Sequence, residues 1–143
     1  VALAGHVFEE GGGLVDGRKD AIVMKLASRD GGTLWRRDIG VQGAHDWSSA
    51  VAADRNGDFV ITGQTDGYLF SPATGAGQDI WVAKLEGRHG DVLWGYQVGS
   101  PGHDVASTLA VDPTSGDVVM CGSTTGDLYE EPGFVYTVGG GEP

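Results

Sequence analysis

Apolar residues in this chain come in short runs, each closed by Gly, Asp, Asn or Ser: "VALAGHV", "AIVMKL", "WSSAVAA", "DFVITGQT", "DIWVAKL", "DVLWGYQVG" and "DVVMCGST". None carries the 3.6-residue period of an amphipathic helix, so the pattern predicts an all-β chain of short strands joined by tight turns. "AIVMKL", "DIWVAKL" and "DFVITGQT" are apolar on both faces until their polar ends, as expected of strands buried on both sides.

The runs repeat. Displacing the sequence by 59 places Asp20 on Asp79, Lys25 on Lys84, Leu34 on Leu93, Trp35 on Trp94 and Gly40 on Gly99. At a displacement of 58, Asp46 falls on Asp104 and Asp54 on Asp112. Asp58, Gly63 and Thr65 then fall on Asp117, Gly122 and Thr124, again at 59. The unit holds four strand-like stretches, a (47–53), b (58–65), c (79–85) and d (91–99), which read as an antiparallel meander. Between a and b, Asn56-Gly57 predicts a two-residue hairpin turn with both residues at positive φ. Four-stranded meanders buried on both faces suit the blades of a β-propeller, each packed between two neighbours. A sandwich would leave every sheet one polar face, which fits b and c less well.

On this reading residues 1–40 form a partial blade with b, c and d, and 41–99 a complete blade. Residues 100–138 form a second partial blade with a, b and, in "GFVYTV" (133–138), a candidate c; 139–143 are a Gly-rich tail. That is about two and a half blades, whereas closed propellers have about 4–8. The expectation is a partial or fragment propeller, completed by further blades, copies of the chain or a protein partner.

Composition narrows the partners. Against 9 Lys+Arg stand 20 Asp+Glu, a net charge of −11, which argues against nucleic acid and anionic membranes. No apolar run is long enough for membrane insertion. Glycine, at 26 of 143 residues, supplies the turns. The single cysteine, Cys121, rules out an intrachain disulfide and lies in an apolar strand, where a buried inert thiol is expected. No nucleophile elbow, zinc-protease helix or phosphate loop is present, so no catalytic residues are assigned.

"DAIVMKL…GTLWRRDIG…HDWSSAVAADRNGDFVITGQT" resembles the bacterial SBBP-type β-propeller repeat family, whose units read roughly D-x-F-V-x-K-L…G…W…G…D…A-V-D-x-x-G-N-V-Y-V-T-G. The matching positions include Asp20, Val23, Lys25, Leu26, Trp35, Gly40, Asp46, Asp54, Gly57 and Gly63, then Asp79, Lys84, Trp94, Gly99, Asp104, Asp112, Gly116 and Gly122. More loosely, Gly31/Trp35 and Gly90/Trp94 have the spacing of pyrroloquinoline-quinone (PQQ) propeller repeats, without that family's Asp and Thr. The resemblance implies a propeller in an extracellular or exported protein and says little of activity. The expected function is a non-enzymatic scaffold or a protein- or carbohydrate-binding module. The alternative is part of a propeller enzyme such as a PQQ dehydrogenase.

Candidate sites follow from the repeat. Trp35 and Trp94 are expected to pack blade on blade. "His-Asp" recurs as His45-Asp46 and His103-Asp104 just before strand a. Imidazole with carboxylate can ligate a divalent metal such as calcium, though loop hydrogen bonding is the plainer role. No other cofactor is indicated. "DRNGD" begins like a calcium loop but has Phe59 and Thr65 where Gly and Glu are needed. The long b–c loops carry Tyr68, Phe70, Tyr129, Glu130 and Glu131, an acidic and aromatic set suited to a partner surface.

Overall fold

A computed structural model of the chain describes residues 1–8, 19–70 and 77–128. Among them there are nine strands and no helix: β1 (Ala2–Phe8), β2 (Lys19–Leu26), β3 (Thr33–Ile39), β4 (Asp46–Ala53), β5 (Phe59–Thr65), β6 (Asp79–Leu85), β7 (Val92–Val98), β8 (Asp104–Val111) and β9 (Val118–Thr124). All pairings are antiparallel and sequential, giving sheets β1-β2-β3, β4-β5-β6-β7 and β8-β9, here sheets 1, 2 and 3. The described sheets do not close on one another. "GFVYTV" and the Gly-rich tail lie outside the described residues.

Sheet 2 is the middle layer. Its β5 and β6 are buried along nearly their whole length. One face presents Phe59, Ile61, Trp81, Ala83 and Leu85 to Ala21, Val23, Trp35 and Ile39 of sheet 1. The other presents Val60, Val82 and half-buried Trp94 to Val118, Leu109, Val111 and Met120 of sheet 3. Period-2 alternation thus serves two cores at once, which is why b and c read as unbroken apolar runs.

Two irregularities recur at matching positions. The register slips between Ser48 and Ala50 and between Ala106 and Thr108. At each bulge a glycine faces the neighbouring strand: a Cβ at Gly63 would run into the carbonyl of Trp47, and one at Gly122 into that of Val105. The second slip lies between Lys25 and Leu26 and again between Lys84 and Leu85. It makes Leu34 and Leu93 the extra, exposed residues and lets Trp35 and Trp94 turn toward the next sheet.

The a–b turn corrects the two-residue expectation. Asp54 N–H bonds the carbonyl of Asp58 at 2.9 Å, and Gly57 (φ 85°) is the residue with positive φ, while Asn56 is not. The Asp54 carboxylate accepts the N–H groups of Asn56 (2.8 Å) and Asp58 (3.0 Å). That cap holds a right-handed turn followed by one left-handed glycine, a wider loop than Asn-Gly alone suggests.

Cys121 is a second correction, since it is exposed rather than buried. Its position in the repeat is that of Thr62, which is buried against sheet 3. On β9 that face meets no described neighbour.

Candidate functional site

The meander sends its connections to two opposite ends. At one end lie the a–b and c–d turns, at the other the b–c loops and the links between sheets.

At the turn end, Lys84 lies 2.8 Å from Asp54 Oδ2 and 3.6 Å from Asp58 Oδ2. Burial alone would raise the Asp54 carboxyl, but Lys84 and the N–H groups of Asp58 and Asn56 outweigh it and hold it below the ordinary range. Asp58 Oδ1 accepts the N–H of Gly87 at 2.9 Å. The "DRNGD" carboxylates are therefore engaged by turn amides and a lysine. Lys25, the repeat equivalent of Lys84, instead crosses to sheet 2, where it donates to the Gly87 carbonyl at 2.6 Å and sits over the Phe59 ring. Trp35 Nε1–H donates to the same carbonyl at 3.2 Å, and its ring meets Phe59 edge-on. Arg37 donates to the Gly90 carbonyl and pairs with Asp91. The c–d turn of sheet 2 is thus the dock for three side chains of sheet 1. Its Gly90 (φ 78°) lies so close to the Trp35 ring that a Cβ would collide with it.

At the loop end, Asp46 and Asp104 are fully buried and occupy matching places. Asp46 Oδ2 accepts the N–H of Val41 at 2.9 Å. Asp104 accepts the N–H and hydroxyl of Ser100. Val41 and Ser100 are themselves repeat equivalents, so both carboxylates cap the link entering their sheet. Asp46 is the poorer match, because its Oδ1 has no hydrogen-bond partner. Burial pushes its carboxyl above the ordinary range, against the Thr65 hydroxyl and Val41 N–H, and the charges of Asp20 and Asp66 add to the rise. Asp20 and Asp46 converge on Gly40, where a Cβ would strike the Asp20 carboxylate.

His45 stacks on Trp47 with ring centroids 5.5 Å apart, and its backbone N–H donates to Asp66. His103 is exposed, and its N–H donates to the Thr125 hydroxyl at 2.8 Å. Among the described residues no three His, Cys, Asp or Glu side chains are grouped so as to hold a metal. The repeated His-Asp dipeptide is brought to the loop end twice, and in each copy the carboxylate serves its own backbone.

The b–c loop of sheet 2 is anchored by a residue that the sequence pattern did not single out. Gln97 Oε1 accepts the N–H groups of Leu69 (2.9 Å) and Phe70 (3.3 Å). Its Nε2 donates to the Gly67 carbonyl (2.8 Å) and to Asp79 (2.9 Å). Its equivalent in sheet 1 is Asp38, so the repeat itself carried no signal for it. Phe70 folds inward onto Trp81 and over Gly95, which makes it a packing residue. Tyr68 projects from the anchored loop, 70% exposed. Tyr129, Glu130 and Glu131 lie outside the described residues.

No family model matches the chain, and no curated protein does either. The likeness to SBBP-type repeats rests on the residues quoted above. No helix among the described residues is long and apolar enough to cross a membrane.

Proposed function

We propose that the three sheets are blades of a β-propeller-type module, and that the module is a non-enzymatic scaffold presenting its b–c loop end to a protein or carbohydrate partner. The observation that carries the reading is the Gln97 anchor. A buried amide makes three hydrogen bonds to Gly67, Leu69 and Phe70 and a fourth to Asp79 of β6, and the segment it fixes holds Tyr68 out to solvent. An aromatic ring on a rigid loop is an inexpensive contact, because little entropy is lost when it binds. The net charge of −11 favours basic protein surfaces or neutral sugars.

The test is a titration of the 143-residue chain with a lysine-rich peptide and with soluble neutral oligosaccharides, followed by amide NMR shifts. Shifts centred on residues 66–70, abolished in Tyr68→Ala, are expected for one of the two ligand classes. Binding at the a–b and c–d turns would overturn the assignment. Dye-linked dehydrogenase activity on adding PQQ and calcium would replace the scaffold by the enzyme alternative.

A further inference from the structure

The two junctions inside the chain use the same faces. Sheet 2 covers the Val23 and Trp35 side of sheet 1 with Ile61, Trp81, Ala83 and Leu85. Sheet 3 covers the equivalent side of sheet 2, Val60 and Val82, with Val118 and Met120. Repeating the step once more leads to the far side of sheet 3, where Thr108, Ala110, Val119 and Cys121 occupy the places of Ala50, Ala52, Val60 and Thr62. In register, Ala110 pairs with Val119 and Thr108 with Cys121, so the four form one patch. All four are exposed, Val119 to 61% against 1% for Val60.

The other half of such a junction is also present. On sheet 1, half-buried Ile22, Met24 and Leu26 lie on the face opposite the one that meets sheet 2; these are the equivalents of Trp81, Ala83 and Leu85, which do the covering inside the chain. One chain therefore carries the covering face on sheet 1 and the uncovered face on sheet 3, at opposite sides of its middle sheet.

From this, and resting on the stacked-blade reading above, we propose that the Val119 face of sheet 3 docks head to tail on the Met24 face of sheet 1 of a second copy. The contact joins two different surfaces, so it is heterologous and must close to avoid a filament. The described residues of two copies bring six such sheets, within the range of about 4–8 for closed propellers. Each copy carries a charge of −11, so association strengthens with salt as repulsion is screened.

Sedimentation equilibrium of the 143-residue chain at low and high salt tests this. The expected result is a salt-favoured dimer of the 14.8 kDa chain. Val119→Glu and Met24→Glu should each dissociate it with strand content unchanged by circular dichroism. Mixing the two variants should restore a heterodimer, because one intact junction then remains. In the dimer Cys121 should react with a thiol reagent at least several-fold more slowly. A monomer at every concentration, a dimer indifferent to both substitutions, or a dimer lost only with Val119→Glu would overturn the proposal. Val60→Glu separates this failure from that of the underlying reading. If Val60→Glu unfolds the chain while the wild type stays monomeric, only the docking fails; if Val60→Glu stays folded, the stacked sheets themselves are wrong.

Discussion

Val60 and Val119 each stand two residues after an aspartate, between apolar neighbours and at the same place in a strand, yet one is 1% exposed and the other 61%. The difference is not local. β5 has β6 beside it and sheet 3 against its outer face, whereas β9 has neither among the described residues. Repeat units of this kind do not fold by themselves; each is stabilised by what the next one covers. The comparison predicts that substitutions at equivalent positions report the presence or absence of a neighbour, not the intrinsic worth of the residue.

The largest effect is expected for the pair itself. Val60→Glu places a carboxylate between two sheets with no cation beside it, and should cost more than about 4 kcal/mol or prevent folding. Val119→Glu should stay within about 0.5 kcal/mol in the monomer, measured by urea unfolding. Equal losses would mean that sheet 3 is covered in solution.

Next come the tryptophans. Trp35 fills the junction of sheets 1 and 2 and donates to Gly87, so Trp35→Ala should lower stability by roughly 3–5 kcal/mol. Trp94 is half-buried at the second junction and lies against half-open Tyr96. Trp94→Ala should cost roughly half as much, about 1–3 kcal/mol. A reversed order would break the equivalence of the two junctions.

The lysines give a smaller and pH-dependent contrast. Lys84→Met leaves Asp54 without its ammonium partner and should cost about 1–3 kcal/mol at neutral pH. Lys25→Met loses a carbonyl contact and a ring contact, about 0.5–1.5 kcal/mol. Asp54 titrates lower in the folded chain than in the unfolded one, so its contribution is present above the ordinary carboxylate value and is lost as pH falls through the lowered one. The Lys84→Met deficit should therefore shrink below about pH 4, while the Lys25→Met deficit should not.

Much of this was legible in the sequence because the signals are local or periodic. The short apolar runs marked the strands of all three sheets, and the double-faced runs marked β5 and β6 as interior. Leu34-Trp35 and Leu93-Trp94, two large apolar residues in succession, break the alternation where the bulges lie. Gln97 was not legible, because its bonds reach residues 18 to 30 positions away and its repeat partner is Asp38. Nor was the fate of Cys121: its run is as apolar as that of Thr62, and only the missing neighbour exposes it. The turn at Asn56 misled because the Asp54 side chain, not the Asn-Gly pair, decides its geometry.

Asp46 and Asp104 supply the smallest and most discriminating comparison. Both are buried caps in the same place, but Ser100 gives Asp104 a hydroxyl as well as an amide, while Val41 gives Asp46 an amide alone. Asp104→Asn should cost about 0.5–1.5 kcal/mol, since an amide cannot accept both donors so well. Asp46→Asn keeps an oxygen for Val41 N–H, removes an ion that burial disfavours, and relieves its repulsion with Asp20 and Asp66. It should be neutral or stabilising by up to about 1 kcal/mol at neutral pH. The difference fades in acid. The Asp46 carboxyl is raised in the folded chain, so the wild type takes up a proton there more readily folded than unfolded. The wild type therefore gains on Asp46→Asn as pH falls from neutral toward the ordinary carboxylate value, and the two unfolding curves should converge. A wild-type advantage at neutral pH would mean that Oδ1 has found a donor, and the two junction aspartates would then be alike in chemistry as well as in place.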